Sequence, residues 1–224
     1  MILGIDTSLG TAVAVVEADG LVRAEASSDD PLGHAEAIGG LLQAVIADAA
    51  FGPIGSAVPP ERVELTYVAS GMGPGPFTGL RVGIAAARAF ALGRGIPVLP
   101  VASHDAVALG ILLEEAMTDA ASPRFAVVTD ARRKEFAYTV YEGVDDDGLP
   151  VRVTDPALVP RDELDAVLAD LGAERRDAAS VPAAMIALVA ARALAAGRES
   201  GPRDALYLRS PDVTMPGAPK RVSA

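Results

Sequence analysis

Short apolar runs separated by turn residues dominate the first thirty positions. Met1–Asp6 is one such run, Thr11–Glu17 (TAVAVVE) a second and Leu21–Ala26 a third, with turns at Ser8-Leu9-Gly10 and Asp19-Gly20, so two hairpins joining three strands are predicted. The period then changes. Ile38, Leu41, Leu42, Val45, Ile46 and Ala49 fall at i, i+3, i+4, i+7, i+8 and i+11, one stripe of an amphipathic helix over 34–50 that Gly52 and Pro53 end. Leu65–Ser70 reads as a strand, and the Gly-rich stretch 71–83 leads into a helix capped by Thr78 that runs to about Gly95. Ile96–Val101 is the next strand and 102–119 the next helix. Strands at Phe125–Thr129 and Glu135–Tyr141, helices at 162–171 and 183–197, and an irregular tail from Pro211 complete the pattern.

Three strands, helix, strand, helix, strand, then a partial second round, is an α/β order with two lobes. It resembles the actin-like fold of sugar kinases and chaperone ATPases, in which each lobe repeats that order. The expected division is an N-terminal lobe over 1–103, a smaller C-terminal lobe over 104–210 and a tail over 211–224. Half of the 224 residues are hydrophobic and 22% are charged, which excludes a chain disordered throughout. With no cysteine, thiolate metal sites, iron–sulfur clusters, disulfides and cysteine nucleophiles are excluded as well. Asp6 interrupts the first apolar run too early for a signal peptide, and the longest apolar stretch, Ala183–Ala191, stops at Arg192, short of the roughly 20 residues of a membrane span. A soluble, cytoplasmic protein is expected. The net charge of −11 opposes autonomous binding to nucleic acid, so any action on RNA needs a partner to grip the phosphates.

Candidate chemistry is sparse. Asp6, Thr7, Ser8 and Thr11 stand at the first hairpin, where actin-like ATPases hold phosphate through backbone amides and small hydroxyls; the alternative is an Asx-type turn that merely organises the chain. The segment Thr129-Asp130-Ala131-Arg132-Arg133-Lys134-Glu135 is its counterpart in the second lobe, with bulky cations instead of glycines after the Asp. The stretch SGMGPGPFTGLRVG lacks the P-loop Lys, and its two prolines remove amide donors, so a rigid turn launching a helix describes it better than a phosphate cradle. No paired-glycine loop for an adenosine follows residue 110. His34 and His104 form no metal-binding pair; His34 is expected to cap the first helix or lie at its surface. Ser103, His104 and Asp105, adjacent in sequence, are expected to point apart rather than converge as a triad. Asp145-Asp146-Asp147-Gly148 reads as a solvated turn.

The helix after the Gly-rich stretch is apolar around nearly its whole circumference, with Gly79, Gly83 and Ala87 removing bulk along one line. Something must occupy that line: a helix of the same chain, such as 34–50, or a second polypeptide.

Together, MILGIDTS at the N-terminus, His34-Ala35-Glu36 opening the first helix, GMGPGPFTGLRVGIAAARAFALG at 71–93, TDARRKEFAYTVY at 129–141 and LYLRSPDVT at 206–214 resemble the TsaB family, also called YeaZ. The family belongs to the bacterial machinery that makes N6-threonylcarbamoyladenosine at position 37 of tRNAs. The core from Gly73 to Gly83 is its most specific part; 171–182 looks shortened, and Pro76 stands where many relatives carry Ser. The resemblance implies an actin-like fold with a degenerate nucleotide site, no catalytic residues and no intrinsic cofactor. Asp6, Thr7, Ser8, Thr11 and Asp130 would be vestigial phosphate loops, with ATP and metal on partner subunits. It implies pairing with the paralogue TsaD through a helical bundle, addition of the ATPase TsaE, and contact with tRNA only through the complex. His34, Ile38, Leu42, Gly79, Val82, Gly83, Ala86 and Phe90 are the interface residues so expected, with Gly83→Arg breaking pairing while sparing the fold. The alternatives are a self-sufficient actin-like ATPase or kinase using Asp6, Thr7, Ser8 and Asp130, and a homodimer through the same helices. Roles for Arg132, Arg133 and Lys134 stay open.

Overall fold

The computed structural model describes residues 1–30, 33–50, 63–118 and 123–209. The first sheet holds β1 (Ile2–Asp6), β2 (Thr11–Val16), β3 (Val22–Ser28), β4 (Tyr67–Gly71) and β5 (Val98–Val101) in the order β3-β2-β1-β4-β5. The first three strands are antiparallel neighbours; β4 and β5 add in parallel because helices intervene. These helices are α1 (His34–Ala49) and α2 (Phe77–Arg94), and α3 (Ser103–Met117) follows β5.

The second sheet repeats the plan in shorter form. β6 (Phe125–Asp130), β7 (Glu135–Val144), β8 (Pro150–Arg152) and β9 (Ala157–Pro160) precede α4 (Leu164–Leu171), β10 (Glu174–Asp177) and α5 (Ala183–Ala195). Its order is β10-β6-β7-β8, with β9 also on β7. Tyr141↔Arg152 and Phe136↔Val159 lie in nearly one antiparallel register, so β8 and β9 act as one interrupted strand. β10 joins β6 in parallel, as β4 joins β1.

Strand alternation sorts the side chains into layers. Leu3, Ile5, Val13, Val15 and Val68 meet Ile38, Val45, Ala87 and Ala91 of α1 and α2. Ile2, Ala14, Val16 and Ala69 face the opposite way and share a core with α3, α5, Phe125, Val127 and Tyr141. Ala126, Val128 and Val140 pack on α4 through Leu164 and Leu168. The result is the expected two-lobed α/β, actin-like arrangement: helices, sheet, helices, sheet, helix. The first sheet ends with β5 and the second begins with β6, and the helices tie them together: α5 packs on β1, β2 and β4, and α3 reaches β7 and β8. A Cβ at Gly4 would overlap the Ala183 carbonyl, so glycine lets α5 lie directly on β1.

The structure corrects several sequence expectations. Thr78 does not cap α2, which begins at Phe77 after an extended Pro76 with no side-chain cap. Strands β8, β9 and β10 were not anticipated. β10 is Glu-Arg-Arg-Asp, an edge strand whose charges pair among themselves, Arg175 with Asp177 at 2.8 Å and Arg176 with Glu174 at 2.9 Å, so hydrophobic alternation carries no sign of it. The stop at Gly52 and Pro53 and the tail over 211–224 lie outside the described residues.

Candidate functional site

The β1–β2 loop is sealed into the protein. Asp6, Thr7, Ser8 and Thr11 are all buried. The Ser8 amide donates to Asp6 Oδ1 at 2.7 Å and the Ser103 hydroxyl to Oδ2 at 2.5 Å. The Ser8 hydroxyl shares its proton between Ser103 Oγ at 2.8 Å and Asp6 Oδ2 at 3.2 Å, and the Gly73 amide donates to Ser103 Oγ at 3.1 Å. A Cβ at Gly71 would overlap Asp6 Oδ2, and one at Gly75 would sit 2.9 Å from Ser8 Cα. Burial pushes the Asp6 carboxyl up to about 6 although its hydrogen bonds pull the other way. A metal at Asp6 would have to displace the donors of Ser8 and Ser103 that already occupy both carboxylate oxygens, so the geometry does not fit one. No group of three or more His, Asp or Glu suited to a metal occurs among the described residues.

The glycine line on α2 is filled from within the chain, chiefly by Thr7 of the first loop and, at Gly79, by His34 at the head of α1. The Thr7 hydroxyl donates to the Gly79 carbonyl at 2.7 Å; a Cβ at Gly79 would stand 2.6 Å from the Thr7 carbonyl oxygen and 3.0 Å from His34 Nε2, and a Cβ at Gly83 would overlap Thr7 Oγ1. His34 is therefore buried rather than at the surface, with Nδ1 2.9 Å from Thr11 Oγ1, and the N-cap of α1 is Gly33. Of the eight expected interface residues, His34, Ile38, Gly79 and Gly83 lie inside the chain. Gly83→Arg would strike the protein's own core, contrary to the expectation that the fold survives it. Leu42, Val82, Ala86 and Phe90 remain half-exposed.

Around those four lies an apolar face. Val82, Ala85, Ala89 and Leu92 form one stripe along α2 at i, i+3, i+7 and i+10, and Leu92 is 84% exposed. On α1, Ala35, Gly39, Leu42 and Ile46 run at i, i+4, i+7 and i+11, with open space where a Gly39 side chain would be. The helices pack against each other, so the two stripes share one side of the molecule.

Ser103, His104 and Asp105 do point apart, as expected. Ser103 joins Asp6. His104 is buried between Thr139 Oγ1, 2.8 Å from Nδ1, and Thr129 Oγ1, 3.0 Å from Nε2. Burial, with help from the Arg152 charge, pushes the imidazole down to about 3, so it is neutral. Asp105 accepts from Tyr141 Oη and Arg152 Nε, each at 2.7 Å. One helical turn thus ties α3 to the first loop and to the second sheet. Ser103 is the member sequence reasoning missed, because its partner lies 97 positions away.

The second loop is built differently. Arg132, Arg133 and Lys134 all have left-handed backbone, with φ of 62°, 49° and 63°. Asp130 accepts from the Arg132 amide at 2.8 Å and from Arg161 at 2.6 Å; the Arg161 hydrogen bond holds its carboxyl below the usual range. Asp145 likewise pairs with Arg198 at 2.5 Å at its turn. Asp130 and Thr129 line an interlobe cleft of about 430 Å³ with Leu9, Phe77, Arg132 and Tyr207. Asp6, Thr7, Ser8 and Thr11 are not part of its lining. The two loops thus reach one cleft, through Leu9 on one side and Thr129–Arg132 on the other, while the side chains of Asp6, Thr7, Ser8 and Thr11 are buried.

Residues 31–153 match the model of the family described as TsaD, tRNA N6-adenosine threonylcarbamoyltransferase. Uncharacterized proteins of Mycobacterium bovis and Mycobacterium tuberculosis are each 37% identical over 142 residues, 62% of this chain and 58% of theirs. An uncharacterized protein of Mycobacterium leprae is 35% identical over 162 residues, 70% of this chain and 38% of its own. The chain thus spans less than two thirds of the length of these curated relatives. Among solved structures, YeaZ from Pseudomonas aeruginosa superposes with a TM-score of 0.68 at 20% identity, covering 92% of this chain and 99% of that one. A second, a P. aeruginosa protein described as similar to peptidase YEAZ, gives 0.69 at 22%, covering 93% and 99%. These last two speak to fold. No described helix is long and apolar enough to cross a membrane.

Proposed function

The chain belongs to the tRNA N6-adenosine threonylcarbamoyltransferase (TsaD) family, and from that premise we propose that it is a TsaB-like, non-catalytic subunit of the machinery that makes N6-threonylcarbamoyladenosine at position 37 of tRNA. The observation that carries this reading is the closed Asp6 loop. Its carboxylate, which an ATPase of this fold would turn toward metal and water, is bonded to Ser8 and Ser103 and lies outside the interlobe cleft.

The role that remains is docking. The apolar face of α1 and α2, with Leu42, Val82, Ala86, Phe90 and Leu92, is suited to pack against a like pair of helices on TsaD, which would hold ATP and metal itself. TsaE would join that pair, and tRNA would be gripped by the complex, since a net charge of −11 disfavours it here. Without TsaD, the same face would pair two copies of this chain.

The test is size-exclusion chromatography with light scattering on this chain plus TsaD, together with reconstituted tRNA modification. The native chain is expected to form a mixed complex and support modification, while Val82→Arg loses both at unchanged melting temperature. Robust ATP hydrolysis by the chain alone, abolished by Asp6→Ala, would favour the ATPase alternative instead.

A further inference from the structure

A second cavity, of about 490 Å³, opens at the edge of the first sheet, away from the interlobe cleft. Ser70 and Val98 of β4 and β5, Ile84 and Arg88 of α2, and Leu194 of α5 line it, and the 198–203 segment closes it by laying Ser200 Oγ on the Pro100 carbonyl at 2.7 Å. Two observations point to a ligand. Ser70 is 1% exposed, and its hydroxyl is the one buried side-chain polar atom among the described residues with no hydrogen-bond partner. Burying a hydroxyl unpaired costs roughly 1–3 kcal/mol, so the site holds an unmet demand for a polar atom. Leu194 on the opposite wall is 40% exposed, an apolar surface without cover.

Charge narrows the class. Three guanidinium groups line the cavity against one carboxylate. Arg198 is engaged by Asp145 and Asp147, and Arg203 by Glu199, but Arg88 makes no ion pair with a described residue. We propose that this cavity binds a small amphipathic carboxylate: the acid on Arg88, the apolar body against Ile84, Val98 and Leu194, and a polar atom within that body paired with Ser70. The volume lies within the roughly 300–1,000 Å³ of small-molecule sites. A serine hydroxyl turns between staggered positions, so it can swing to meet such a ligand without backbone movement.

N-acetyl-L-leucine is the probe, and its neutral amide is the control with the same body. Methyl-detected NMR titration of the full chain is expected to show saturable shifts at Ile84, Val98 and Leu194 with the acid, and about tenfold weaker binding of the amide, the scale of one charge-assisted hydrogen bond. Arg88→Gln, at an exposed position, should erase that preference. Ser70→Ala, which removes an unpaired hydroxyl and should not lower the melting temperature, should weaken acid and amide alike. No saturable shift at these methyls with either compound, or shifts that both variants leave unchanged, would overturn the proposal. Equal affinity for acid and amide in the native chain would overturn its carboxylate class. Arg88 borders the α2 stripe, three residues from Ala85 and four from Leu92, so Ser70→Ala, off that face, is the variant in which pairing with TsaD is checked: mixed-complex formation should stay intact while ligand binding weakens.

Discussion

The two hairpin loops that face each other across the lobes occupy the same place in the two halves of the fold, yet they do opposite things. The first, between β1 and β2, is a buried keystone: Thr7 bonds to α2, Asp6 to the start of α3, and Asp6 and Ser8 pack against Gly71 and Gly75. The second, between β6 and β7, is exposed and cationic, with three consecutive non-glycine residues in left-handed backbone at roughly 1–2 kcal/mol each. Both carboxylates are bonded by their own chain, but Asp6 is buried among hydroxyls that lock α3 to the loop, whereas Asp130 pairs with Arg161 at the surface beside strained backbone. The difference teaches that topological position in this fold does not preserve chemistry: in the first loop the atoms that could have met a phosphate meet the protein.

The harshest way to break this contrast is Gly83→Arg. Its side chain would enter the volume of Thr7, and a loss of more than about 4 kcal/mol, seen as failure to fold or a collapsed melting temperature, is expected. A normal melt would show that the first loop is not sealed. Next is acid titration. His104 is neutral in the fold at a value near 3 against 6.5 unfolded, so its contribution is complete above about pH 6.5 and is lost as pH falls toward 3. The loss amounts to about 4–5 kcal/mol across that window. Urea melts of His104→Gln should therefore start lower at pH 7 and decline far less on acidification.

Asp6 runs the other way. With its value raised from 3.8 to about 6, the folded state holds the proton longer, so its stabilisation is complete below about pH 4 and is lost as pH rises through 6, by about 3 kcal/mol. Asp6→Asn should remove that slope and gain on the native chain between pH 4 and pH 8. A pH-independent difference would mean that the carboxyl is not buried as described. The smallest effect belongs to the second loop. Lys134→Gly, at φ 63°, should raise stability by about 1 kcal/mol or less by relieving the left-handed strain, and the same change at a right-handed position would lower it.

Much of this was legible before any coordinates. The two hairpins, α1 from its apolar stripe, and the divergence of Ser103, His104 and Asp105 follow from period and adjacency alone. The glycines of α2 announced a close contact, but not its partner: Thr7 lies 72 positions from Gly79, and nothing local tells a loop from a helix as the occupant. A still longer separation, 97 positions, hid the Asp6–Ser103 bond. β10 was silent because an edge strand of four charged residues carries no hydrophobic period, and β8 and β9 because each is too short to alternate visibly. His34 looked like a surface cap because polar residues opening helices usually are; its burial depends on Thr11, from the neighbouring strand.

The central claim is that the sealed first loop leaves this protein to work by docking rather than catalysis. Reconstituted tRNA threonylcarbamoylation with TsaD and TsaE, comparing the native chain, Asp6→Asn and Val82→Arg, tests it most directly. The account predicts full modification with native and Asp6→Asn protein and background levels with Val82→Arg; modification lost with Asp6→Asn and retained with Val82→Arg would contradict it.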